Sequence, residues 1–148
     1  MIEKKNFYIN GKWVSPAKPN DFEVINPSTE EAFAIISLGS AEDTDKAIKA
    51  ANIAFETWRE TTKEERLALL EKFDEIYKRR WDEMVEAQSK EMGAPLDFAS
   101  ETHTKMGADI CRNNIEILKH FNFEHQFDPK SNNHIRYEPI GVCGLITP

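Results

Sequence analysis

Four histidines are the first residues whose type could support chemistry, because imidazole is a common metal ligand and general base. They stand at His103, His120, His125 and His134, without the compact spacing that zinc sites use. His120 and His125 flank a predicted helix end, where a cationic ring also suits the helix dipole. The histidines therefore do not predict a metal site.

The two cysteines and the adjacent carboxylates have structural explanations as well. Cys111 falls inside a predicted helix as a small packing residue, and Cys143 lies in an apolar run without an activating cation beside it. Glu30-Glu31 and Glu64-Glu65 stand at a turn and at a helix start, where solvation and capping explain them. The sequence holds neither a G-x-G-x-x-G motif nor a P-loop, so both standard phosphate cradles are missing. Residue types alone thus assemble no catalytic constellation.

Composition excludes several classes of protein. The chain has 148 residues, a net charge of −7, 40% hydrophobic residues and 30% charged residues, which argues against a disordered chain. A negative chain lacks the clustered Lys and Arg that general nucleic-acid binding requires. No apolar stretch approaches the ~20 residues of a membrane helix, and the N-terminus has no apolar signal core. With two cysteines, a cytoplasmic location is expected.

The first third of the sequence predicts small antiparallel β structure. Residues 7–14 place Asn10-Gly11 between two β-prone runs, which is a strong signal for a hairpin with a type I′ turn. Residues 22–25 and 33–38 read as two further strands, separated by a turn at "NPST".

The middle of the sequence predicts helices. Ser40 with Asp43 marks the start of the first, and Thr62 with Glu65 forms a capping box at the start of the second. The second pattern runs to Met92, and its length predicts a break near residues 80–82. A third helix is expected over residues 97–121. The three predicted apolar stripes are Ala47, Ala51, Ala54, Phe55 and Trp58; Leu67, Leu70, Phe73, Tyr77, Trp81 and Met84; and Met106, Ile110, Ile117, Leu118 and Phe121.

The last part of the sequence begins with a polar connector and ends on an apolar run. A short strand is predicted at residues 124–127, and another from His134 up to a bend at Pro139. Residues 142–146 are apolar on both faces, which is typical of a strand inside a sheet that is covered on both sides. Such a strand needs neighbours to cover it.

Six segments stand out in collinear order: "FYINGKWV", "VINPSTEE", "GSAEDTDKAIKAANIAFETWR", "KEERLALLEKFDEIYKRR", "KEMGAPL" and "EPIGVCGLITP". Together they resemble the opening of an NAD(P)-dependent aldehyde dehydrogenase. In that family Ile-Thr-Pro is followed directly by Trp-Asn, just beyond the position of Pro148. The resemblance implies an α/β fold and an N-terminal piece of a longer enzyme. Residues 1–122 would begin a Rossmann-like cofactor domain, 123–140 an oligomerisation arm, and 141–148 the first strand of the dinucleotide-binding sheet.

The same resemblance implies a reaction, but it assigns roles in that reaction to few residues of this chain. The family attacks an aldehyde with a cysteine thiolate, transfers hydride to NAD or NADP and hydrolyses the thioester. Ile146, Thr147 and Pro148 match the strand end that lines the cofactor site, and the Ile25 carbonyl matches a monovalent-cation ligand. Neither cysteine matches the nucleophile motif, so no catalytic residue is expected in this chain. A homodimer or homotetramer is implied for the full-length protein.

Two alternatives stay open at this point. The chain could be a stand-alone interaction module that pairs its apolar strand with a partner, as unpaired sheet edges can. It could also be a truncated remnant without function. In the fragment interpretation, the chain by itself is expected to be catalytically inactive and to aggregate or stay partly molten.

Overall fold

The computed structural model describes residues 1–147 of the chain as a mixture of short strands and longer helices. Strands β1 (Ile2–Lys4), β4 (Asp21–Asn26) and β5 (Glu31–Ser37) form a sheet in the order β1-β5-β4. β5 is antiparallel to β4 and parallel to β1. The sequence pattern predicts β4 and β5 but gives no signal for β1, which has only three exposed residues.

Two separate hairpins lie outside this sheet, one between β1 and β4 in the sequence and one after the helices. Strands β2 (Phe7–Ile9) and β3 (Lys12–Val14) pair across Asn10 and Gly11, whose φ angles are 52° and 72°. Both angles are positive, as a type I′ turn requires, so the predicted turn is confirmed. Strands β6 (Glu124–Gln126) and β7 (His134–Arg136) form the second hairpin, where the sequence predicted two short strands.

The helices begin where their caps predict. Helix α1 (Ala41–Trp58) starts after Ser40, and α2 (Lys63–Arg79) starts after Thr62 with the predicted reciprocal capping box. Ser40 and Asp43 form a reciprocal capping box as well, where the sequence predicted only the helix start. Arg80 separates α2 from α3 (Trp81–Met92), which confirms the predicted break. Gly93 ends α3 in the left-handed conformation, with φ of 71°.

The predicted third helix is divided into three stretches. A short helix α4 (Leu96–Phe98) leads into a π-helical turn (Ala99–Thr104), which continues as α5 (Lys105–His120). The Tyr77 hydroxyl donates a hydrogen bond of 3.1 Å to the Thr104 carbonyl, and the Trp81 indole N–H donates one of 3.1 Å to the Ser100 hydroxyl. Side chains of α2 and α3 therefore fix the π-helical turn in place.

The buried core is small and lies mainly between α2, α5 and the π-helical turn. Its apolar residues are Ala34, Ala99, Ala108, Cys111 and Ile115. The predicted core face of the third helix is wrong for three of its residues, because Met106, Ile110 and Ile117 are each 55–56% exposed, whereas Leu118 is half-buried. The helix has apolar residues on two opposite sides, and α2 packs on the side that carries Ala108, Cys111 and Ile115. Periodicity alone could not decide between the two sides.

Candidate functional site

The segment that follows β7 contains the residues expected to line a cofactor site. From Tyr137 to Thr147 the chain has no regular secondary structure, and Gly141 takes a φ of 128° that strongly favours glycine. Ile140, Leu145 and Ile146 are 95%, 90% and 98% exposed. Nothing within residues 1–147 covers these apolar side chains.

Residues 142–146 therefore form no strand within the described part of the chain. A β-strand is defined by a ladder of hydrogen bonds, and here the backbone groups of this segment find no partner strand. The assignment of this segment to a dinucleotide-binding sheet needs strands from outside these residues, and it stays a prediction.

Ile25, the expected cation ligand, lies on β4 beside a tight turn. The β4–β5 register shifts between Val24 and Ile25, and Ile25 then pairs with Ala32. The turn that follows is held by Asn26: its side-chain oxygen accepts from the Ser28 N–H at 2.9 Å, and its carbonyl accepts from the Glu30 N–H at 2.8 Å. Local hydrogen bonds thus fix the backbone next to the Ile25 carbonyl.

The end of helix α3 supports the same turn from outside. A methyl group added to Gly93 would come within 2.8 Å of the Pro27 Cγ atom, which is closer than real contacts allow. Gly93 is therefore needed both for its positive φ and for this close approach. The contact between Gly93 and Pro27 could not be predicted from the sequence. The segment "GAP" indicates where the helix ends, but it does not indicate which residue packs against that end.

The described residues do not complete a metal site around Ile25. The backbone carbonyl supplies one oxygen, and no group of three His, Cys, Asp or Glu side chains suited to a metal ion occurs within residues 1–147. The Ile25 side chain itself is 46% exposed. A cation at this position would have to draw its remaining ligands from elsewhere, such as other backbone carbonyls or water.

The structure does not bring the predicted site residues together. Ile25 belongs to the N-terminal sheet, whereas Ile146 and Thr147 belong to the extended segment after β7. Pro148, the third predicted cofactor residue, lies outside the described residues. None of the three described positions is buried, so each faces solvent in this chain.

The two cysteines occupy contrasting environments. Cys111 is buried, and its thiol lies 3.9 Å from the Leu70 carbonyl. Burial, followed by the nearby Asp74 carboxylate, raises the pKa of the Cys111 thiol, which disfavours the thiolate form that acts as a nucleophile. Its predicted packing role is confirmed. Cys143 is exposed instead, so the expectation that it is a packing residue is wrong for this chain.

A model of the aldehyde dehydrogenase family matches residues 13–148 of the chain. Among characterised relatives, 3-succinoylsemialdehyde-pyridine dehydrogenase from a Pseudomonas species is 40% identical over 149 residues. That alignment covers 100% of this chain and 31% of the relative. The chain thus spans about a third of the length of the relative it matches.

Solved structures agree in fold as well as in sequence. An aldehyde dehydrogenase from Bartonella henselae is 48% identical and superposes with a TM-score of 0.87, covering 89% of this chain and 28% of that one. An aldehyde dehydrogenase C variant from Pseudomonas syringae, solved with NAD⁺ and octanal, is 34% identical with a TM-score of 0.81. The latter covers 84% of this chain and 26% of that one. These likenesses confirm the predicted fold class.

Proposed function

The chain belongs to the aldehyde dehydrogenase family, and from that premise we propose that it forms the N-terminal part of an enzyme that oxidises an aldehyde to a carboxylic acid with NAD or NADP. The observation that carries this proposal is the family match over residues 13–148, together with the 48% identity to the Bartonella henselae structure. The alternative of a stand-alone interaction module is not favoured by these likenesses.

The proposal assigns roles to three parts of the chain. Residues 1–122 form the N-terminal portion of the cofactor domain, 123–140 begin the oligomerisation arm, and 141–148 supply the first strand of the dinucleotide-binding sheet. The exposure of Ile140, Leu145 and Ile146 supports the last assignment, because an apolar segment of this kind is stable only when other strands cover it.

The proposal also assigns the cofactor and cation positions. Ile146, Thr147 and Pro148 line one side of the nicotinamide cofactor site, and the Ile25 carbonyl contributes one ligand to a monovalent cation. When bound, NAD(P) accepts the hydride of the aldehyde carbon. This chain contributes no group to the covalent step, because neither Cys111 nor Cys143 matches the nucleophile motif. The protein is expected to be cytoplasmic and to act as a homodimer or homotetramer.

The test is an assay of the protein at its native length with a panel of aliphatic and aromatic aldehydes. Formation of NADH or NADPH is followed at 340 nm, and the carboxylic acid product is identified by mass spectrometry. Reduction of the cofactor with acid formation from at least one aldehyde is the expected result. Absence of reduction with every aldehyde and both cofactors, from protein that is folded and binds NAD(P), would refute the proposal.

A further inference from the structure

A cleft lies between the α1–α2 corner and the β6–β7 hairpin. It encloses about 610 Å³, within the range of small-ligand sites. Four of its lining side chains are cationic and three are carboxylates, although the whole chain is negative by seven charges. The cations are Arg59, Lys63, Arg66 and Arg136, and the carboxylates are Glu60, Glu124 and Glu138. The cleft is therefore a positive site on a negative chain.

The charges in the cleft are not all paired with one another. Arg59 lies 3.2 Å from Glu60, and Arg136 lies 3.4 Å from Glu138. Glu124 lies 3.7 Å from the His134 ring. Among residues 1–147, Lys63 and Arg66 form no ion pair; each donates to a backbone carbonyl instead, Lys63 to Lys119 at 3.1 Å and Arg66 to Thr62 at 3.3 Å. Two positive charges in the cleft thus lack a carboxylate.

Arg66 is held in a fixed orientation. Its guanidinium carbon lies 4.8 Å from the centre of the Phe123 ring, and its Nε–H is bonded to the Thr62 carbonyl. Stacking on an aromatic face and one anchoring hydrogen bond leave the terminal N–H groups free to bind two oxygens of one anion. The capping box at the start of α2 binds the N–H groups of Thr62 and Glu65, so the cations of the cleft are side chains and not the helix N-terminus.

An aromatic wall completes the cleft. Tyr137 lines it and packs edge-on against Phe121 at 5.3 Å, while Phe121 packs against Phe123 at 4.8 Å. The aromatic cluster places the Phe123 ring under Arg66 and gives the cleft an apolar side.

We propose that this cleft binds a small oxyanion, a phosphate or carboxylate group, with Arg66 as the bidentate donor and Lys63 as the second cation. The anion supplies the negative charge that these two side chains lack. Arg59 and Arg136 each form an ion pair with a neighbouring glutamate, and they add to the positive potential at the rim of the cleft. The proposal rests on the contacts of this cleft and does not depend on the proposed function.

The test measures binding of inorganic phosphate and of malonate to the native-length protein by isothermal titration calorimetry. Saturable binding of one of them is expected, weakening as sodium chloride is raised. Arg66→Gln should weaken it about tenfold or more, since a hydrogen bond to a charged group is lost. Lys63→Gln should weaken it less. Arg79→Gln removes the same charge from the same helix outside the cleft, and it should leave affinity within about twofold.

The possible outcomes distinguish a phosphoryl ligand, a carboxylate ligand and the absence of an anion site. Binding of phosphate alone indicates a phosphoryl ligand, and binding of malonate alone indicates a carboxylate ligand. No saturable binding of either overturns the proposal, as does equal weakening by Arg66→Gln and Arg79→Gln. Circular dichroism of each variant checks that Arg66→Gln keeps its fold; if it does not, Lys63→Gln against Arg79→Gln decides alone.

Discussion

A single carboxylate connects the N-terminal hairpin region to the first long helix. Asp43 is only 5% exposed, and it accepts hydrogen bonds from the Ser40 N–H at 2.9 Å, the Ser40 hydroxyl at 2.7 Å and the Ala17 N–H at 2.8 Å. These bonds hold the pKa of the Asp43 carboxyl below its usual range, and the bonds from Ser40 have the largest effect. The sequence predicted the cap but not the contact with Ala17, which is 26 residues away.

Replacing Asp43 by Asn should lower the melting temperature of the native-length protein by several degrees at pH 7, because the amide cannot accept all three bonds. A depressed pKa means that the stabilisation is present above the unfolded pKa and is lost as pH falls through the folded one. The difference between wild type and Asp43→Asn should therefore shrink below about pH 4.

Asp45→Asn provides the matched control for this experiment. It lies on the same helix and is exposed, so its melting temperature should stay close to that of the wild type at both pH values. Thermal melts followed by circular dichroism give both comparisons. An equal effect of the two substitutions would contradict the argument, as would an Asp43→Asn effect that grows towards acid pH.

At the scale of elements, the contact between α2 and the start of α5 depends on a glycine. A Cβ atom on Gly107 would lie 2.7 Å from the Tyr77 hydroxyl and 3.3 Å from the ring carbon that carries it. That hydroxyl cannot withdraw freely, because it donates to the Thr104 carbonyl in the π-helical turn. Gly107 is thus explained by packing and not by backbone conformation, since its φ is not positive.

Gly107→Ala should destabilise the native-length protein by about 1 kcal/mol, because overpacking costs about 1–3 kcal/mol and the gain in helix propensity returns about 1 kcal/mol. In a Tyr77→Phe background the hydroxyl is gone and only the ring carbon at 3.3 Å stays close, so the same change should range from neutral to stabilising by up to about 1 kcal/mol. Chemical denaturation of the four proteins of this cycle measures the coupling.

Gly39→Ala serves as the control, since its Cβ would meet only the Phe7 ring at an ordinary 3.7 Å. It should change the free energy of unfolding by less than about 0.5 kcal/mol. Equal costs of Gly107→Ala in the wild-type and Tyr77→Phe backgrounds would show that the Tyr77 hydroxyl is not the obstacle.

The whole molecule buries few apolar side chains for its length. Within residues 1–147 five apolar residues are buried, whereas many large ones stay exposed, among them Ile53 at 76%, Ile140, Leu145 and Ile146. Exposed apolar surface on this scale marks faces that other parts of a protein cover. This agrees with a chain that spans about a third of its relatives' length.

The 148-residue chain produced by itself should therefore bind a hydrophobic dye strongly and lack a sharp thermal transition. It should also fail to reduce NAD or NADP with any aldehyde, because neither Cys111 nor Cys143 matches the nucleophile motif of the family. Dye fluorescence, calorimetry and the 340 nm assay make these measurements, with the native-length protein as the control. A monomeric chain with a cooperative melt, or with dehydrogenase activity, would contradict the fragment interpretation.

The sequence by itself determined the local features of this protein and its family. Caps at Ser40 and Thr62, the Asn10-Gly11 turn and the glycine at the end of α3 act through bonds a few residues apart, so short patterns specify them. The order of six segments likewise sufficed to indicate the family, which the match over residues 13–148 confirms.

Only the tertiary structure decided which apolar faces are buried and which distant side chains meet. Ala108 is buried and Met106 is exposed because α2 packs on one side of α5 and not on the other. The contact of Arg66 with Phe123 and the pairing of β1 with β5 each join residues far apart in the sequence. Periodicity gives the faces of a helix but not its neighbours, because burial depends on the elements that surround it. For the same reason residues 142–146 have the composition of a central strand yet form none without a partner strand beside them.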